Sequence, residues 1–282
     1  MKVYVMDAFS DRVFGGNQAG VVLADREVAP AVMQQVAAEL KHSETVFVRT
    51  AEDGVHLRYF TPAGEVDLCG HATVGPFALL RRLEIIGDGT HKAHTRAGEL
   101  TIDVAGDKVW MDMAPPRSMG ALRSEDWAEL YAAYGLTLAD RPEDLTPEIV
   151  STGLADIMMP VRDHETLMRS VQNERAVTDI SRRLEVTGVH MFCLGEGAVY
   201  CSNYAPLYDI PEECATGTSN GALTYYLYER GLVQPGAENL FIQGEHMSRP
   251  SRIYSRLLAA GSGVKVRVGG QAVMSLTGEM EL

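Results

Sequence analysis

Cysteine is scarce in this 282-residue sequence. The four cysteines, Cys69, Cys193, Cys201 and Cys214, form no CxxC motif and share no Cys/His ligand spacing. Their spacing therefore argues against a disulfide framework and against a structural zinc site. We expect four reduced thiols.

A long apolar run is also absent. Asp7 and Asp11 interrupt the amino-terminal residues, and no stretch reaches the roughly 18 uncharged apolar residues that a membrane span needs. The sequence thus predicts no signal peptide, no membrane partner and a cytoplasmic location. Basic residues are the minority, 25 Lys and Arg against 38 Asp and Glu, and the resulting charge of −13 argues against a nucleic-acid partner.

Metal and dinucleotide motifs are lacking as well. The eight histidines show no ligand spacing, so we expect no metal site. Gly15-Gly16 and Gly269-Gly270 lack the strand, Gly-x-Gly and helix context of a dinucleotide site. Turns are the simpler interpretation of both glycine pairs.

The composition that remains is that of an ordinary globular chain, with 46% hydrophobic and 22% charged residues. Its length favours two domains of roughly 100–150 residues each. Pro115-Pro116 and the polar segment after them mark residues 114–124 as the crossover. We therefore assign residues 1–117 to an N-terminal lobe, which the C-terminal strand 269–282 could rejoin, and residues 118–268 to a C-terminal lobe.

Both lobes mix strand and helix patterns, which predicts an α+β fold. Strand-like patterns cover residues 2–9, 45–48, 55–60, 100–104, 108–113, 149–161, 189–194, 197–203 and 264–268, and helical patterns cover 31–40, 125–134, 164–172 and 175–185. Glu44 lies where the first helix gives way to a strand, and functional groups are often presented at such an edge.

Two loops repeat each other at a separation of 145 residues. Residues 69–75 (CGHATVG) and 214–221 (CATGTSNG) are both rich in Gly and Thr, and both enter an apolar helical segment. Thr218 or Ser219 is a suitable N-cap for the second helix, and Gly231 would end it. Pro76 predicts that the first helix starts late or bends. We therefore predict that the chain consists of two similar halves.

Helix starts of this kind suit a bound anion. Their backbone N–H groups point outward with the positive end of the helix dipole behind them. We expect the substrate to be small and anionic, held in a cleft between the halves. The expected binding residues are Gly70, Ala72, Thr73, Gly217, Thr218 and Ser219. Simple helix capping is the alternative interpretation of either loop alone.

Five ordered motifs carry a family resemblance. They are residues 16–21 (GNQAGV), 43–47 (SETVF), 69–73 (CGHAT), 204–206 (YAP), and the Gln243-Gly244 to Arg249-Pro250-Ser251 segment. In this order and at these separations the chain resembles the PhzF-like (phenazine biosynthesis) isomerases. The resemblance implies a diaminopimelate-epimerase-like fold, in which two pseudo-symmetric halves each wrap a curved sheet around a central helix.

The resemblance also implies a chemistry without cofactor or metal, and a homodimer. The name-giving enzyme isomerises a dihydro-hydroxyanthranilate by proton transfer, with the glutamate of the SET motif as acid/base, and that role falls on Glu44. His71 and Glu213 would orient substrate or stabilise developing charge. Glu213 stands where the family has Asp, and Cys214 where it has Pro, which puts the phenazine substrate in doubt.

Three functions stay open at this stage. The first is a proton-shift isomerase, which needs Glu44 to have a pKa raised by burial. The second is a two-thiol epimerase or racemase using Cys69 and Cys214, which resembles proline racemase and diaminopimelate epimerase. The third is a non-catalytic protein that binds a small acid.

Overall fold

The computed structural model describes residues 1–261 and 263–281. Its strands are β1 Lys2–Ala8, β2 Asn17–Leu23, β3 Glu44–Ala51, β4 Gly54–Phe60, β5 Glu65–Val66, β6 Gly89–Thr95, β7 Gly98–Ala105, β8 Lys108–Asp112, β9 Arg117–Ala121, β10 Glu148–Ser151, β11 Ala155–Pro160, β12 Gly188–Leu194, β13 Val199–Ala205, β14 Ile210–Glu213, β15 Glu238–Gln243, β16 Ser251–Ala260, β17 Gly263–Gly270 and β18 Ala272–Glu279. Its helices are α1 Pro30–Leu40, α2 His71–Arg82, α3 Ser124–Ala132, α4 His164–Arg169, α5 Glu174–Leu184 and α6 Gly217–Tyr228.

The chain divides into two compact units. Unit 1 comprises Met1–Asp112 and Gly269–Leu282, and unit 2 comprises Met113–Val268. The C-terminal strand β18 pairs antiparallel with β1, so the two ends of the chain belong to unit 1.

Unit 1 surrounds helix α2. This helix contacts strands β1, β2, β3, β7, β8 and β18, and nine of its twelve residues are buried. Helix α1 joins the parallel strands β2 and β3, a connection that requires a crossover. Met33 and Val36 of α1 pack on Phe47 and Phe60, so the sheet is covered on this face as well. Strand β3 is apolar at consecutive positions because both of its faces are buried.

Unit 2 repeats this layout. Strands β11 and β12 pair in parallel, β12 and β13 pair antiparallel, and the chain between β11 and β12 contains α4 and α5. Helix α6 contacts β9, β10, β11 and β16 and is buried over most of its length. Val177 and Ile180 of α5 pack on Val189 and Met191 in the core of the unit.

The junction between helix and strand has the same form in both units. Each helix is followed by a left-handed residue, Lys41 after α1 and Glu185 after α5. The next strand then begins four residues after the last helical residue, at Glu44 in unit 1 and at Gly188 in unit 2. The prediction that Glu44 lies at a helix–strand edge is confirmed.

Several local predictions were wrong. Helix α2 begins at His71 although Pro76 lies inside it, because the helix start is fixed five residues earlier by Thr73 N–H and Val74 N–H donating to Gly70 O. The N-cap of α6 is Thr216, two or three residues before the predicted positions. Helix α4 ends at Arg169, and the stretch 149–161 is two strands separated by a turn at Gly153.

Strands β2, β5, β6, β9, β14, β15 and β16 were not predicted, because their short length or their Gly, Pro and polar residues obscure the alternation, whereas the predicted C-terminal strand within 269–282 is present as β18. Within the described part of the chain, no helix is both long and apolar enough to cross a membrane.

Candidate active site

The first residue of β3 and the first residue of α2 bring an acid and a base together. Glu44 Oε2 lies 3.0 Å from His71 Nε2. His71 is almost fully buried, whereas the Glu44 side chain keeps 19% of its surface exposed. Glu44 is thus the member of the pair that remains accessible to a small molecule.

Two further side chains hold the His71 ring. The side-chain amide of Asn17, at the start of β2, lies 3.1 Å from Nδ1, and Ser43 Oγ lies 3.5 Å from Nε2. Gly16 precedes Asn17 with a φ of +63°, and a Cβ at this position would lie 2.1 Å from Ala8 O. Only glycine therefore allows the chain to deliver Asn17 to the ring.

The electrostatics of the pair differ from the sequence-based expectation. Burial alone would raise the pKa of Glu44, but hydrogen bonding to His71, the His71 charge, and hydrogen bonds from Ser43 and Cys69 outweigh it and lower the pKa. The expected rise of this pKa was wrong, because the prediction counted desolvation without the buried imidazole beside the carboxyl.

His71 moves in the opposite direction. Burial opposes its charge, but Cys69 and Glu44 together raise its pKa well above the ordinary value. At neutral pH Glu44 is therefore a carboxylate in contact with the buried His71 ring. Glu44 stands ready as a base rather than as an acid.

Cys69 lies beside the same ring, with Sγ 3.4 Å from His71 Nδ1. Burial raises the pKa of this thiol, although the His71 charge and a hydrogen bond from the Ala72 N–H lower it in part. Cys69 is therefore a protonated thiol at neutral pH. This weakens it as a base for carbon acids.

Thr73 is used by the fold itself. Its backbone N–H donates to Gly70 O and its hydroxyl donates to Cys69 O. Its hydroxyl oxygen also lies 2.7 Å from Tyr59 OH. The Ala72 N–H is directed to Cys69. Ala72 and Thr73 therefore donate to groups within the protein, whereas we expected them to donate to the substrate. Gly70 and His71 provide the two backbone amides that precede them.

In unit 2 the matching loop carries Glu213 at the end of β14. Thr216 Oγ1 donates to Glu213 Oε2 at 2.6 Å, and Gln243 Nε2 donates to Glu213 O at 2.7 Å. The carboxylate is thus held at the N-terminus of α6, whose first turn begins at Gly217 and Thr218. First-turn amides of a helix have no partner within the helix.

Two other predicted residues of this loop point into the protein. Ser219 Oγ donates to the buried Asp156 Oδ2 at 2.5 Å, so its hydroxyl is not directed at a ligand. Cys214 is 5% exposed, and a Cβ at Gly244 would lie 2.8 Å from the Cys214 Cβ, which shows how closely this cysteine is packed. Its side chain is therefore part of the protein core.

Among the residues that the structure describes, two donor sets have the chemistry to hold a metal ion. The ligand atoms of Glu44, Cys69 and His71 lie within 4.8 Å of one another, and so do those of Asp53, His56 and His94. The second set lies on the β3–β4 turn, on β4 and on β6, and Asp53 already accepts a hydrogen bond from His56 at 2.9 Å. An Asp–His ion pair accounts for this set without a ligand.

Sequence reasoning missed Asn17, Gln243 and Asn220 as site residues. Asn17 and Gln243 lie inside two of the quoted motifs, and their place in these motifs could have identified them as site residues. Asn220 lies in the loop 214–221, where we considered only the backbone amides.

A comparison with known proteins agrees with this picture. The model of the phenazine biosynthesis-like protein family, PhzC-PhzF, matches residues 6–278. An uncharacterised isomerase of Deinococcus radiodurans is 35% identical over 278 residues, which covers 93% of this chain and 89% of the relative. A crystal structure of a Bacillus anthracis PhzF-family protein matches with a TM-score of 0.91 at 25% identity, covering 100% and 99% of the two chains.

The fold is that of the diaminopimelate-epimerase-like proteins, because a probable proline racemase from Agrobacterium radiobacter also matches, with a TM-score of 0.63. That protein is 11% identical and covers 100% of this chain and 93% of its own, so the likeness concerns the fold alone. The chain belongs to the phenazine biosynthesis-like (PhzC-PhzF) family. Its relatives are named isomerases, which supports an isomerase here.

Proposed function

We propose that this protein is a cofactor-independent isomerase that moves a proton within a small carboxylate-bearing metabolite, with Glu44 as the general acid/base. The 3.0 Å contact between the Glu44 carboxylate and His71 carries the proposal. It brings an ionised, partly exposed carboxylate next to a buried imidazole, on two secondary-structure elements that hold both side chains.

The proton balance needs no second reagent. Glu44 Oε takes the proton from a substrate carbon, and the electron pair of the broken C–H bond enters the conjugated system of the substrate acid. The protonated Glu44 then returns the proton to a different carbon. His71 stabilises the carboxylate at the start and end of this cycle and keeps it oriented.

The substrate carboxylate needs its own partners. We assign this task to the backbone amides at the helix start beside Glu44, at Gly70 and His71. Glu213, held by Thr216, orients the substrate. Homodimerisation stays a prediction, which light scattering on the purified protein would check.

Deuterium incorporation tests the reaction. The protein is incubated in D₂O with a dihydro-hydroxyanthranilate, L-proline or diaminopimelate, and mass spectrometry counts deuterons in the recovered compound. We expect incorporation into one of them. Glu44→Gln should slow it by about 10²–10⁴-fold, the range of general acid–base catalysis, with an unchanged circular dichroism spectrum.

Cysteine variants separate the thiol mechanism from this one. Cys69→Ser and Cys214→Ser should retain most of the exchange if Glu44 is the base. Loss of exchange in both, with full exchange in Glu44→Gln, would establish the two-thiol epimerase instead. Tight binding of these acids without any exchange would establish the non-catalytic alternative.

The pH profile gives an independent test of the pair. Because His71 lowers the pKa of Glu44, the carboxylate persists to lower pH than that of a free glutamate. His71→Gln removes the imidazole that lowers this pKa. The pKa of Glu44 should therefore rise, and the acid limb of the kcat/KM profile should shift to higher pH. An unshifted acid limb would mean that Glu44 does not control it.

A further inference from the structure

Six side chains form a continuous buried polar chain in unit 2, and none of them is needed to close the sheet. They are at most 3% exposed and lie on β11, β12, β13, α6 and β15: Asp156, His190, Asn203, Ser219, Asn220 and Gln243. The chain ends at Thr216 and Glu213, the loop to which the proposed function gives a substrate-orienting task.

The direction of each hydrogen bond on the Asp156 side follows from the groups present. The Asn203 amide nitrogen has two hydrogens, and it donates to Ser219 Oγ at 3.1 Å and to His190 Nδ1 at 3.2 Å. Ser219 therefore uses its own proton for Asp156. Because Nδ1 of His190 accepts, the ring carries its proton on Nε2.

The other side of the ring leads to the loop. His190 Nε2 lies 3.4 Å from Asn220 Oδ1 and donates to it. The Asn220 amide nitrogen donates to Thr216 O at 2.9 Å and to Gln243 Oε1 at 2.7 Å. Burial lowers the pKa of His190 to about 4, which keeps the ring neutral and in this tautomer at physiological pH.

Gln243 completes the connection. Its Oε1 accepts from the Thr216 backbone N–H at 3.2 Å, and its amide nitrogen donates to Thr216 Oγ1 at 3.0 Å and to Glu213 O. Thr216 then has one proton left, which it donates to the Glu213 carboxylate. A single assignment of protons thus satisfies every link, and such networks fix one geometry.

Unit 1 shows that the fold itself does not require these groups. Val46 pairs with Tyr59 across β3 and β4, and His190 pairs with Asn203 across β12 and β13. Ala19 of β2 pairs with Glu44 of β3, and in the same way Asp156 of β11 pairs with Gly188 of β12. Val46 and Ala19 therefore occupy the positions in unit 1 that match those of His190 and Asp156 in unit 2. A protein is usually no less stable when apolar residues fill such buried sites.

We propose that His190 is a positioning residue, which together with Asn203 holds Asn220 and Gln243, and through them the Thr216–Glu213 pair, in one orientation at the start of α6. The effect on turnover rests on the proposed function. The holding of the loop does not, so the two are measured separately.

Amide hydrogen exchange followed by NMR tests the holding of the loop, because the Thr216 N–H donates to a side chain of the network. His190→Val, which installs the unit 1 residue, should speed Thr216 exchange by at least about ten-fold. His190→Gln, which offers an acceptor and a donor, should restore part of the protection. Tyr131→Phe is the matched control, since Tyr131 is fully buried in the same unit and its hydroxyl donates to Pro160 O outside the network.

The same variants are then compared in the deuterium-incorporation assay with the three acids named above. We expect His190→Val to lower kcat by at least about ten-fold, His190→Gln to recover part of it, and Tyr131→Phe to match the wild type. Unchanged Thr216 exchange in His190→Val would overturn the proposal, and so would faster exchange with full turnover. If the wild type turns over none of the acids, the proposed function fails while Thr216 exchange still decides whether His190 holds the loop.

Discussion

Strand β3 of unit 1 and strand β12 of unit 2 occupy matching places and carry opposite chemistry. The first begins with Glu44 and continues through the apolar Val46, whereas the second begins with Gly188 and continues through the polar His190. Unit 1 thus has a partly exposed charge at the start of the strand and an apolar side chain at the buried position two residues later. Unit 2 has no side chain at that edge and places its polar groups inside.

The difference shows how one layout can carry two kinds of chemistry. An acid/base needs access to the substrate, so it belongs at an element edge with part of its surface open. A binding loop needs rigidity, which buried hydrogen bonds provide at the cost of desolvation. The predictions below ask whether the two arrangements can be exchanged, and they run from the largest expected effect to the smallest.

Val46→His should cause the largest loss of stability. It introduces the unit 2 residue at a fully buried position whose cross-strand partner is Tyr59, with its hydroxyl in contact with Thr73, instead of an asparagine amide. An imidazole buried without partners, together with overpacking, should cost about 3–5 kcal/mol. Urea unfolding measures this cost, and Val46→Leu controls for volume. A His variant as stable as the Leu variant would contradict the assumed apolar surroundings.

Asp156→Asn should change how stability depends on pH. Burial raises the pKa of Asp156 to about 6, against hydrogen bonds from Ser219 and the Gly188 N–H that lower it. The folded protein therefore binds this proton more tightly than the unfolded chain. Its contribution to stability is complete below about pH 4 and is lost as the pH rises to about 6.

The lost contribution amounts to about 3 kcal/mol at most. The asparagine variant cannot ionise, so its stability relative to the wild type should improve by up to that amount between about pH 4 and pH 8. Thermal unfolding at a series of pH values measures the difference. A constant difference over this range would show that Asp156 does not titrate there.

Tyr59→Phe should have the smallest effect. Tyr59 is the unit 1 counterpart of Asn203, but its hydroxyl makes a single described side-chain contact, with Thr73 Oγ1, and Thr73 can still donate to Cys69 O after the change. We expect a loss of about 0.5–1.5 kcal/mol in urea unfolding and nearly full turnover. A loss of turnover as large as that of His190→Val would remove the contrast between the units.

Motifs made the local part of the site predictable. The SETVF and CGHAT segments singled out Glu44 and His71 as candidate site residues, and the helical pattern after Pro30 placed Glu44 at a strand edge. The direction of the Glu44 pKa was not predictable in this way. It depends on the distance between two side chains 27 positions apart, and this distance decides whether desolvation or the imidazole dominates.

The roles of Thr73 and Ser219 were missed for the same kind of reason. Both lie in loops whose Gly and Thr content suggests anion binding, and both turn inward to partners on other strands. Tyr59 and Asp156 are ordinary strand residues when they are seen one at a time. The folded sheet brings their side chains to a helix start, and only there do they become its hydrogen-bond partners.

The order of residues along the chain determined the family and the repeat of the layout, and it singled out Glu44 as the proposed acid/base, because these follow from short segments in which neighbouring residues act together. The tertiary structure alone decided the charge state of that acid and the polar network behind the second helix start. Those properties arise from contacts between residues far apart in sequence, and burial determines how strong such contacts are.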